Sequence, residues 1–263
     1  MITNHVRYDR AEMDVVVPNA TYMTIIRHPV KHFESAFAYF GTRKVVNLTD
    51  PSQQDPIAVF MENPEYYWNK KFTFWFQLKS GQIFDLGLDH ADHTGEKVTE
   101  TIQEFDKDFD LVMIADYFDE SLLLLKQHLC LDWNDILYIP DNFRPSGKKQ
   151  PITPEVGDKI KVWNWADMAL YEHFNRTFWE KIADYGPRFS RDLQYFRERL
   201  RETRARCTEG DDVRRKNDGH GVVGFVLREN ATDFCKDLLL GDVEYTKMFW
   251  NRQSETLYNL PEN

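Results

Sequence analysis

The sequence predicts an α/β fold in which a central parallel sheet is flanked by helices. Two continuous apolar segments, residues 21–27 and 109–115, have the composition of strands that are buried on both faces. Each is followed by a segment with the apolar periodicity of an amphipathic helix. Because strands that alternate with helices pair in parallel, we expect both strands to lie in one sheet.

The first strand leads directly into a helix. The strand ends at Arg27, and Pro29 stands where a first helical turn begins. Apolar side chains then recur at helical spacing at positions 30, 33, 36, 37 and 40. Residues 41–56 are polar and contain two prolines, so they predict a loop, and a short helix is expected near 56–62.

The block 65–78 is rich in tryptophan, tyrosine and phenylalanine, and it allows two interpretations. Its aromatic rings pack within the core or a lid, or they form a platform on which a sugar stacks. Packing is the commoner role of such rings, so we favour the first interpretation.

The second strand is also followed by a helix, over residues 120–130, and Asp116 or Asp119 is a candidate N-cap for it. A third short strand is expected at 136–139. A proline-containing loop leads to helical stretches at about 155–185 and 187–206, whereas the charged segment 207–224 predicts a loop. We therefore expect one domain over 1–206, with 207–263 as a C-terminal extension of the same domain.

Composition and charge limit the possible functions. The chain has 263 residues, of which 42% are hydrophobic, and this suffices for a sizeable core. A net charge of −10 argues against non-specific binding to nucleic acid and against a polyanionic polymer as the main substrate. No stretch approaches the roughly 20 apolar residues of a transmembrane helix, and the first residues lack the apolar region of a signal peptide.

Cysteines and glycosylation sequons point to the secretory pathway. The three cysteines have no metal-type spacing, and Cys207 and Cys235 can pair if the chain lies in an oxidising compartment; otherwise all three, with Cys130, are free thiols. The four Asn-x-Ser/Thr sequons exceed the number expected by chance. They begin at Asn19, Asn47, Asn175 and Asn230. We expect a secretory-pathway protein whose targeting segment is not in this sequence.

Arg27 and Ser35 are the candidate ligand-binding residues. In open α/β sheets, ligands bind at the carboxyl ends of strands, where a helix N-terminus favours anions. A guanidinium at that position can bind a phosphate with two hydrogen bonds. Ser35 is two turns into the helix, so its hydroxyl reaches the same ligand only if that ligand lies along the helix. The local pattern alone leaves a structural role for Arg27 open.

A wider resemblance favours the binding role. The strand, Arg-x-Pro, helix and serine eight residues after the arginine resemble the 3′-phosphate motif of sulfotransferases that use 3′-phosphoadenylyl sulfate (PAPS). The segment IIRHPVKHFESAFAYF, with PNATYMTIIR, IFDLGLD, FDLVMIADYFDESLLLLKQHLCLDWNDILY and LYEHFNRTFWEKI, is similar to the galactose-3-O-sulfotransferase family over about residues 1–190. The resemblance implies a P-loop-type sulfotransferase fold in which Arg27 and Ser35 bind the 3′-phosphate of PAPS. His28 replaces the family's usual aspartate before the proline.

The resemblance also suggests a catalytic base. Sulfuryl transfer to a hydroxyl requires a group that takes the acceptor proton, and a neutral imidazole suits this task. His5, in TNHVRYD, resembles the catalytic histidine of the related uronyl 2-O-sulfotransferases. His28 is a second candidate, although its position better serves the turn.

One part of the family's cofactor site has no counterpart in this sequence. The family has a Lys-Thr-x-Ser-Ser-Thr loop that follows the first strand and holds the 5′-phosphosulfate. Residues 147–149 and 216–221 contain lysine and glycine, but neither follows a predicted strand. We expect the chain to lack the membrane anchor, the first strand and this loop of an N-terminally longer parent. Loss of such donors costs several kcal/mol of transition-state stabilisation, which predicts weak or no activity for the chain alone.

The function that the resemblance implies is sulfation of galactose. The parent would be a type II membrane protein facing the Golgi lumen. It would transfer sulfate from PAPS, without a metal, to the 3-hydroxyl of a terminal β-galactose on a glycolipid such as galactosylceramide or on a glycoprotein glycan. Two alternatives stay open: a uronyl 2-O-sulfotransferase-like enzyme acting on glycosaminoglycans, and a non-catalytic, sulfotransferase-like binding protein.

Overall fold

The computed structural model describes residues 6–46, 55–141, 151–215 and 223–258. It divides the chain into two compact units. The first comprises Met1–Asp132 and Lys149–Leu193, and the second comprises Trp133–Lys148 and Gln194–Asn263.

The first unit contains the predicted parallel pair of strands. Strand β1 is Met23–Ile26 and strand β2 is Leu111–Ile114, with Met23 opposite Leu111 and Ile26 opposite Ile114. Both predicted strands and their parallel pairing are therefore confirmed, with each strand shorter than its apolar segment. The parallel direction brings the carboxyl ends of the two strands to the same edge.

Helices surround this pair, and the whole described part of the chain is mixed α/β with more helix than strand. The helices that lie within the first unit are α1 Arg10–Val16, α2 Pro29–Tyr39, α3 Pro56–Glu62, α4 Pro64–Trp68, α5 Gly81–Asp85, α6 Gly95–Asp108, α7 Phe118–His128, α8 Pro154–Trp163 and α9 Trp165–Tyr185. Helix α10, Phe189–Cys207, begins in the first unit and ends in the second. The second unit also contains β3 Thr208–Arg215, β4 Val223–Leu227, α11 Asp233–Asp237 and α12 Asp242–Tyr258.

Helix α2 begins where the sequence predicts. Pro29 is its first residue, and Nδ1 of the preceding His28 accepts a hydrogen bond from the amide of Val30 at 3.3 Å. A proline at the first helical position has no amide to leave unsatisfied, and its fixed φ suits the helix. The same device starts α3, where Asp55 precedes Pro56 and accepts from the amide of Ile57 at 3.0 Å.

Two apolar clusters form the core of the first unit. The larger one lies around the strands and includes Ile26, Ile114, Phe105 of α6, and Leu170 and Phe178 of α9. The second cluster joins α2, α3 and α8, and its fully buried members include Phe33, Phe60 and Ile160. Because burial of each such side chain contributes about 1.5–3 kcal/mol, these contacts fix α2 against α8.

Three expectations about local structure are wrong. Residues 136–139 form no strand, although Ile136, Leu137 and Ile139 are buried, because their apolar pattern reflects burial without a neighbouring strand to pair with. Helix α7 begins at Phe118 without a side-chain cap, and Asp116 accepts from the backbone of His28 instead. Part of the expected loop 207–224 is strand: β3 pairs antiparallel with β4. Residues 216–222 lie outside the described residues.

Other expectations are confirmed or refined. The short helix near 56–62 is present as α3. The expected loop 41–56 contains a 3₁₀ turn over Thr42–Val46, and residues 47–54 lie outside the described residues. The helical stretch 155–185 is two helices, because Asn164 interrupts it between α8 and α9.

Cys207 and Cys235 form a disulfide with their Cα atoms 5.2 Å apart, and Cys130 is an exposed free thiol. This confirms the pairing that an oxidising compartment would allow. Among the helices of the described residues, we find none with the length and apolar content that crossing a membrane requires.

Candidate functional site

The site is built at the carboxyl edge of the parallel strands. Arg27 directly follows β1, and Asp116 is the second residue after β2. At this edge the chain leaves the sheet in both places, so side chains and backbone amides from two loops face the same region.

The backbone of Arg27 is held by the side-chain amide of Gln82, from α5. The amide N–H of Arg27 donates to Oε1 of Gln82 at 2.6 Å, and Nε2 of Gln82 donates to the carbonyl of Arg27 at 2.9 Å. Gln82 thus satisfies both backbone groups of Arg27, as a neighbouring strand would. In the described part of the chain, the Arg27 guanidinium makes no hydrogen bond or ion pair, so it is available to an anion.

A buried carboxyl group holds Gln82 in turn. Asp167 of α9 is 1% exposed and accepts from the amides of Ile83 at 2.9 Å and Gln82 at 3.2 Å. It also accepts from Nε2 of Gln82 at 3.4 Å. Burial raises the pKa of Asp167 to about 6, although these donors oppose the shift.

Asn164 and Ser80 extend this network. The amide of Ser80 donates to Oδ1 of Asn164 at 2.7 Å, and Nδ2 of Asn164 donates to the carbonyl of Ile160 at 2.9 Å. The break between α8 and α9 therefore positions the start of α5, which carries Gln82. The conformation of Arg27 depends on residues more than fifty positions away in sequence.

Asp116 fixes the next residue of the joint. One of its oxygens accepts from the amide of His28 at 2.7 Å, and the other accepts from Nζ of Lys31 at 2.6 Å. Burial alone would raise the pKa of Asp116, but these two donors lower it below its ordinary value. The imidazole of His28 packs edge-on against Tyr171, with ring centroids 5.0 Å apart. Burial lowers the pKa of His28, whose Nδ1 caps α2.

Arg27 lies just before α2 and Ser35 lies within it, so the two residues are separated along the helix axis. Ser35 is partly exposed and follows Pro29 by six residues, which corresponds to about 9 Å along the helix axis. It lies on the same helical face as Lys31, four residues earlier. A ligand that touched both Arg27 and Ser35 would therefore extend along α2.

His32 is a candidate residue that sequence reasoning missed. It precedes Ser35 by three residues, so the two share a helical face. Burial, and to a smaller extent the charge of Arg27, lower the pKa of His32 to about 4. Its ring is therefore neutral near pH 7, and in the described residues it makes no hydrogen bond. The i, i+3 spacing of His32 and Ser35 was the available sequence signal.

His5, the candidate base, lies outside the described residues. The segment that follows it is anchored to the end of α5. Nε of Arg7 donates to the carbonyl of Phe84 at 2.9 Å, and the amide of Tyr8 donates to the carbonyl of Asp85 at 2.9 Å. The same short helix thus binds this N-terminal segment at one end and Arg27, through Gln82, at the other.

The aromatic block 65–78 is largely packed. The rings of Trp68 and Trp75 meet at 4.6 Å, and Phe74 stacks on Phe40 at 4.4 Å. Nζ of Lys79 lies 4.6 Å from the ring of Trp68. Tyr66 and Phe74 are the more exposed members, at 56% and 46%. Among the described residues, no three His, Cys, Asp or Glu side chains are grouped so that they could hold a metal ion.

Comparison with known proteins identifies similar chains. A family profile described as galactose-3-O-sulfotransferase matches residues 1–220. Galactosylceramide sulfotransferase of Mus musculus is 37% identical over 80% of this chain and 50% of its own length. The protein of the same name from Homo sapiens is 34% identical over 88% of this chain and 53% of its own length.

Galactose-3-O-sulfotransferase 2 of Sus scrofa is 30% identical over 96% of this chain and 68% of its own length. The chain spans about half the length of the two galactosylceramide sulfotransferases. No solved structure matches the chain.

Proposed function

Because the chain belongs to the galactose-3-O-sulfotransferase family, we propose that Arg27 and Ser35 bind the 3′-phosphate end of PAPS. We propose further that the whole protein transfers sulfate from PAPS to the 3-hydroxyl of a terminal β-galactose. The observation that carries this proposal is the guanidinium of Arg27, which has no partner in the described residues while its backbone is fixed on both sides by Gln82.

The surroundings of Arg27 suit a phosphate. The guanidinium can donate two parallel hydrogen bonds to phosphate oxygens, and charge-assisted bonds of this kind are stronger than neutral ones. Because Gln82 and Asp116 hold the backbone on each side of the joint, little backbone freedom is lost on binding. The hydroxyl of Ser35 then donates to the same nucleotide further along α2.

The chemistry requires a base beside the acceptor hydroxyl. The acceptor oxygen attacks the sulfur of PAPS, the bond from sulfur to the 5′-phosphate oxygen breaks so that adenosine 3′,5′-bisphosphate leaves, and the base takes the acceptor proton. We assign proton removal to His5. The anchoring of Arg7 and Tyr8 on α5 supports this assignment, because α5 also holds the backbone of Arg27.

The finer architecture belongs to the same proposal. We propose a P-loop-type sulfotransferase fold with one domain over 1–206 and residues 207–263 as its C-terminal extension. The Lys-Thr-x-Ser-Ser-Thr loop that the family uses for the 5′-phosphosulfate is not found among the 263 residues. We therefore expect the chain alone to bind the nucleotide weakly through its 3′ end and to turn over poorly.

The acceptor and the compartment follow from the family and the disulfide. The names of the relatives specify galactosylceramide and galactose as their acceptors. We propose a galactose-terminated glycolipid or glycan as the acceptor here. The Cys207–Cys235 disulfide supports an oxidising compartment, and we propose the Golgi lumen with a membrane-anchored parent.

Transfer of labelled sulfate tests this function. The chain and an N-terminally extended parent are incubated with labelled PAPS and either galactosylceramide or a galactose-terminated glycan. Sulfation of the galactose 3-hydroxyl by the parent, with little by residues 1–263, supports the proposal. Transfer to glycosaminoglycan uronic acid instead, or nucleotide binding without any transfer by the parent, would contradict it.

A further inference from the structure

The first unit contains a cleft that the proposed nucleotide site does not use. The cleft has a volume of about 640 Å³, within the usual range for small-molecule sites. It lies between the region of α3 and α4 and the junction of α8 with α9. Trp163 and Trp165 line it, together with Lys79, Glu155, Asp158 and Lys159.

Its aromatic wall is fixed in place. Nε1 of Trp163 donates to the carbonyl of Leu78 at 2.6 Å, and Nζ of Lys79 lies 4.4 Å from the Trp163 ring centroid. Trp165, the first residue of α9, is 37% exposed, although a large aromatic side chain gains stability from burial. The wall thus offers one rigid indole and one accessible indole to a flat, partly apolar ligand.

The charged groups in the cleft select the kind of ligand. Two lysines and two carboxylates line it, so their charges sum to zero. Glu155 pairs with Lys159 at 3.0 Å, and both are solvent-accessible enough to exchange this contact for a ligand. An alkyl chain could pack on the two indoles, but it would form no hydrogen bond with these four charged side chains. The negative charge of a uronate or a sulfated sugar would be repelled by the two carboxylates. The hydroxyls of a neutral sugar can bond with both kinds of group.

Helix α8 separates this cleft from the proposed nucleotide site. Lys159 and Val162 line the cleft, whereas Val156 and Ile160 of the same helix are buried in the apolar cluster that joins α8 to α2. The two sites are therefore on different sides of a helix about 10 Å across. A sugar in the cleft is not the sugar whose hydroxyl receives sulfate.

We infer that this cleft binds a neutral hexopyranose unit of the acceptor, at a distance from the sulfated galactose. One apolar face of the ring packs against Trp165, and ring hydroxyls bond with Asp158 and Lys79 in place of their contacts with Lys161 at 2.8 Å and Glu65 at 3.4 Å. This inference rests on the proposed function, because it adds a second sugar contact to a galactoside acceptor. Because the two sites lie on different sides of α8, it implies that oligosaccharide acceptors long enough to pass around this helix bind more tightly than a single galactose.

Binding of methyl β-lactoside, measured by calorimetry and saturation-transfer NMR, tests the inference. Trp165→Ala should weaken binding about tenfold, the loss expected for one aromatic contact. Trp179→Ala is the matched control, since Trp179 lies on the same helix with 40% exposure and does not line the cleft. Val162→Arg, at a residue 75% exposed, should block the cleft without disturbing the core.

Three outcomes would overturn the inference. These are equal lactoside affinity in the wild type and Trp165→Ala, equal losses in both tryptophan variants, and a Trp165→Ala effect confined to binding of phosphatidylcholine vesicles. A parallel titration with adenosine 3′,5′-bisphosphate separates this failure from failure of the proposed function. Nucleotide binding without lactoside binding would contradict only the sugar-binding role of the cleft. Absence of nucleotide binding by the wild type would contradict the proposed function.

Discussion

Gln82→Ala removes the side chain that holds the Arg27 backbone. Its hydrogen bonds to the half-buried N–H and C=O of Arg27, of 2.6 and 2.9 Å, are lost, as is its 3.4 Å bond to Asp167. The two shorter bonds contribute about 0.5–1.5 kcal/mol each, so the free energy of unfolding should fall by at least about 1–3 kcal/mol. If Arg27 binds the nucleotide as proposed, the affinity for adenosine 3′,5′-bisphosphate should also fall, because the backbone that carries the guanidinium is no longer held.

Urea unfolding and nucleotide calorimetry measure these two effects in the same preparation. Gln77→Ala is the matched control, since among the described residues Nε2 of Gln77 bonds only with the exposed Asp85 carboxylate, at 2.8 Å. Loss of this hydrogen bond should change the free energy of unfolding by less than about 0.5 kcal/mol and leave nucleotide affinity unchanged. If Gln82→Ala behaved like this control in both assays, the Gln82 amide would not organise the site.

Two further predictions concern pH and the disulfide. The pKa of His32 is about 4 in the folded chain against an ordinary 6.5, so the unfolded chain binds more protons between these values. Its contribution to stability therefore rises from pH 4 to 6.5, by at most about 3 kcal/mol, and His32→Gln should flatten urea-unfolding stability over this window. The pKa of Asp167 is about 6 in the folded chain against an ordinary 3.8, so its contribution to stability falls as pH rises from 3.8 to 6. Asp167→Asn should therefore steepen the same profile of stability against pH. Unchanged profiles in both variants would contradict these assignments. Cys207→Ser should lower the free energy of unfolding of the second unit by about 2–4 kcal/mol. Cys130→Ser, at an exposed free thiol, should have little effect. Equal effects of the two substitutions would count against a stabilising disulfide.

Local patterns predicted the part of the fold that local physics determines. The apolar runs gave β1 and β2, and Pro29 marked the first residue of α2, because strand burial and helix initiation depend on neighbouring residues. The expected strand at 136–139 fails because an apolar pattern records burial and does not specify a hydrogen-bonding partner.

The candidate site was predicted only in part. Arg27 and Ser35 were predicted from their position after a strand and from a family resemblance, and their binding role stays a prediction. Gln82 and Asp167 could not be found in this way, since Gln82 meets Arg27 across 55 positions and Asp167 meets Ile83 across 84. Such contacts depend on the packing of α5 against α9, which no local pattern specifies.

The charged strand β3 was missed for a related reason. Its residues, TEGDDVRR, lack the apolar alternation that marks a half-buried strand. Pairing with the more apolar β4 supplies the backbone hydrogen bonds that its own composition does not predict.

Calorimetric titration with adenosine 3′,5′-bisphosphate tests the central claim, that Arg27 binds the 3′-phosphate. The titration compares the wild type with Arg27→Ala and with Arg176→Ala, an exposed arginine of α9 that contacts His173 at 3.2 Å and Glu180 at 4.0 Å. Loss of a charge-assisted phosphate contact, worth about 1.5–3 kcal/mol, predicts roughly ten- to a hundredfold weaker binding for Arg27→Ala alone. Equal affinity in all three proteins would contradict the assignment of Arg27.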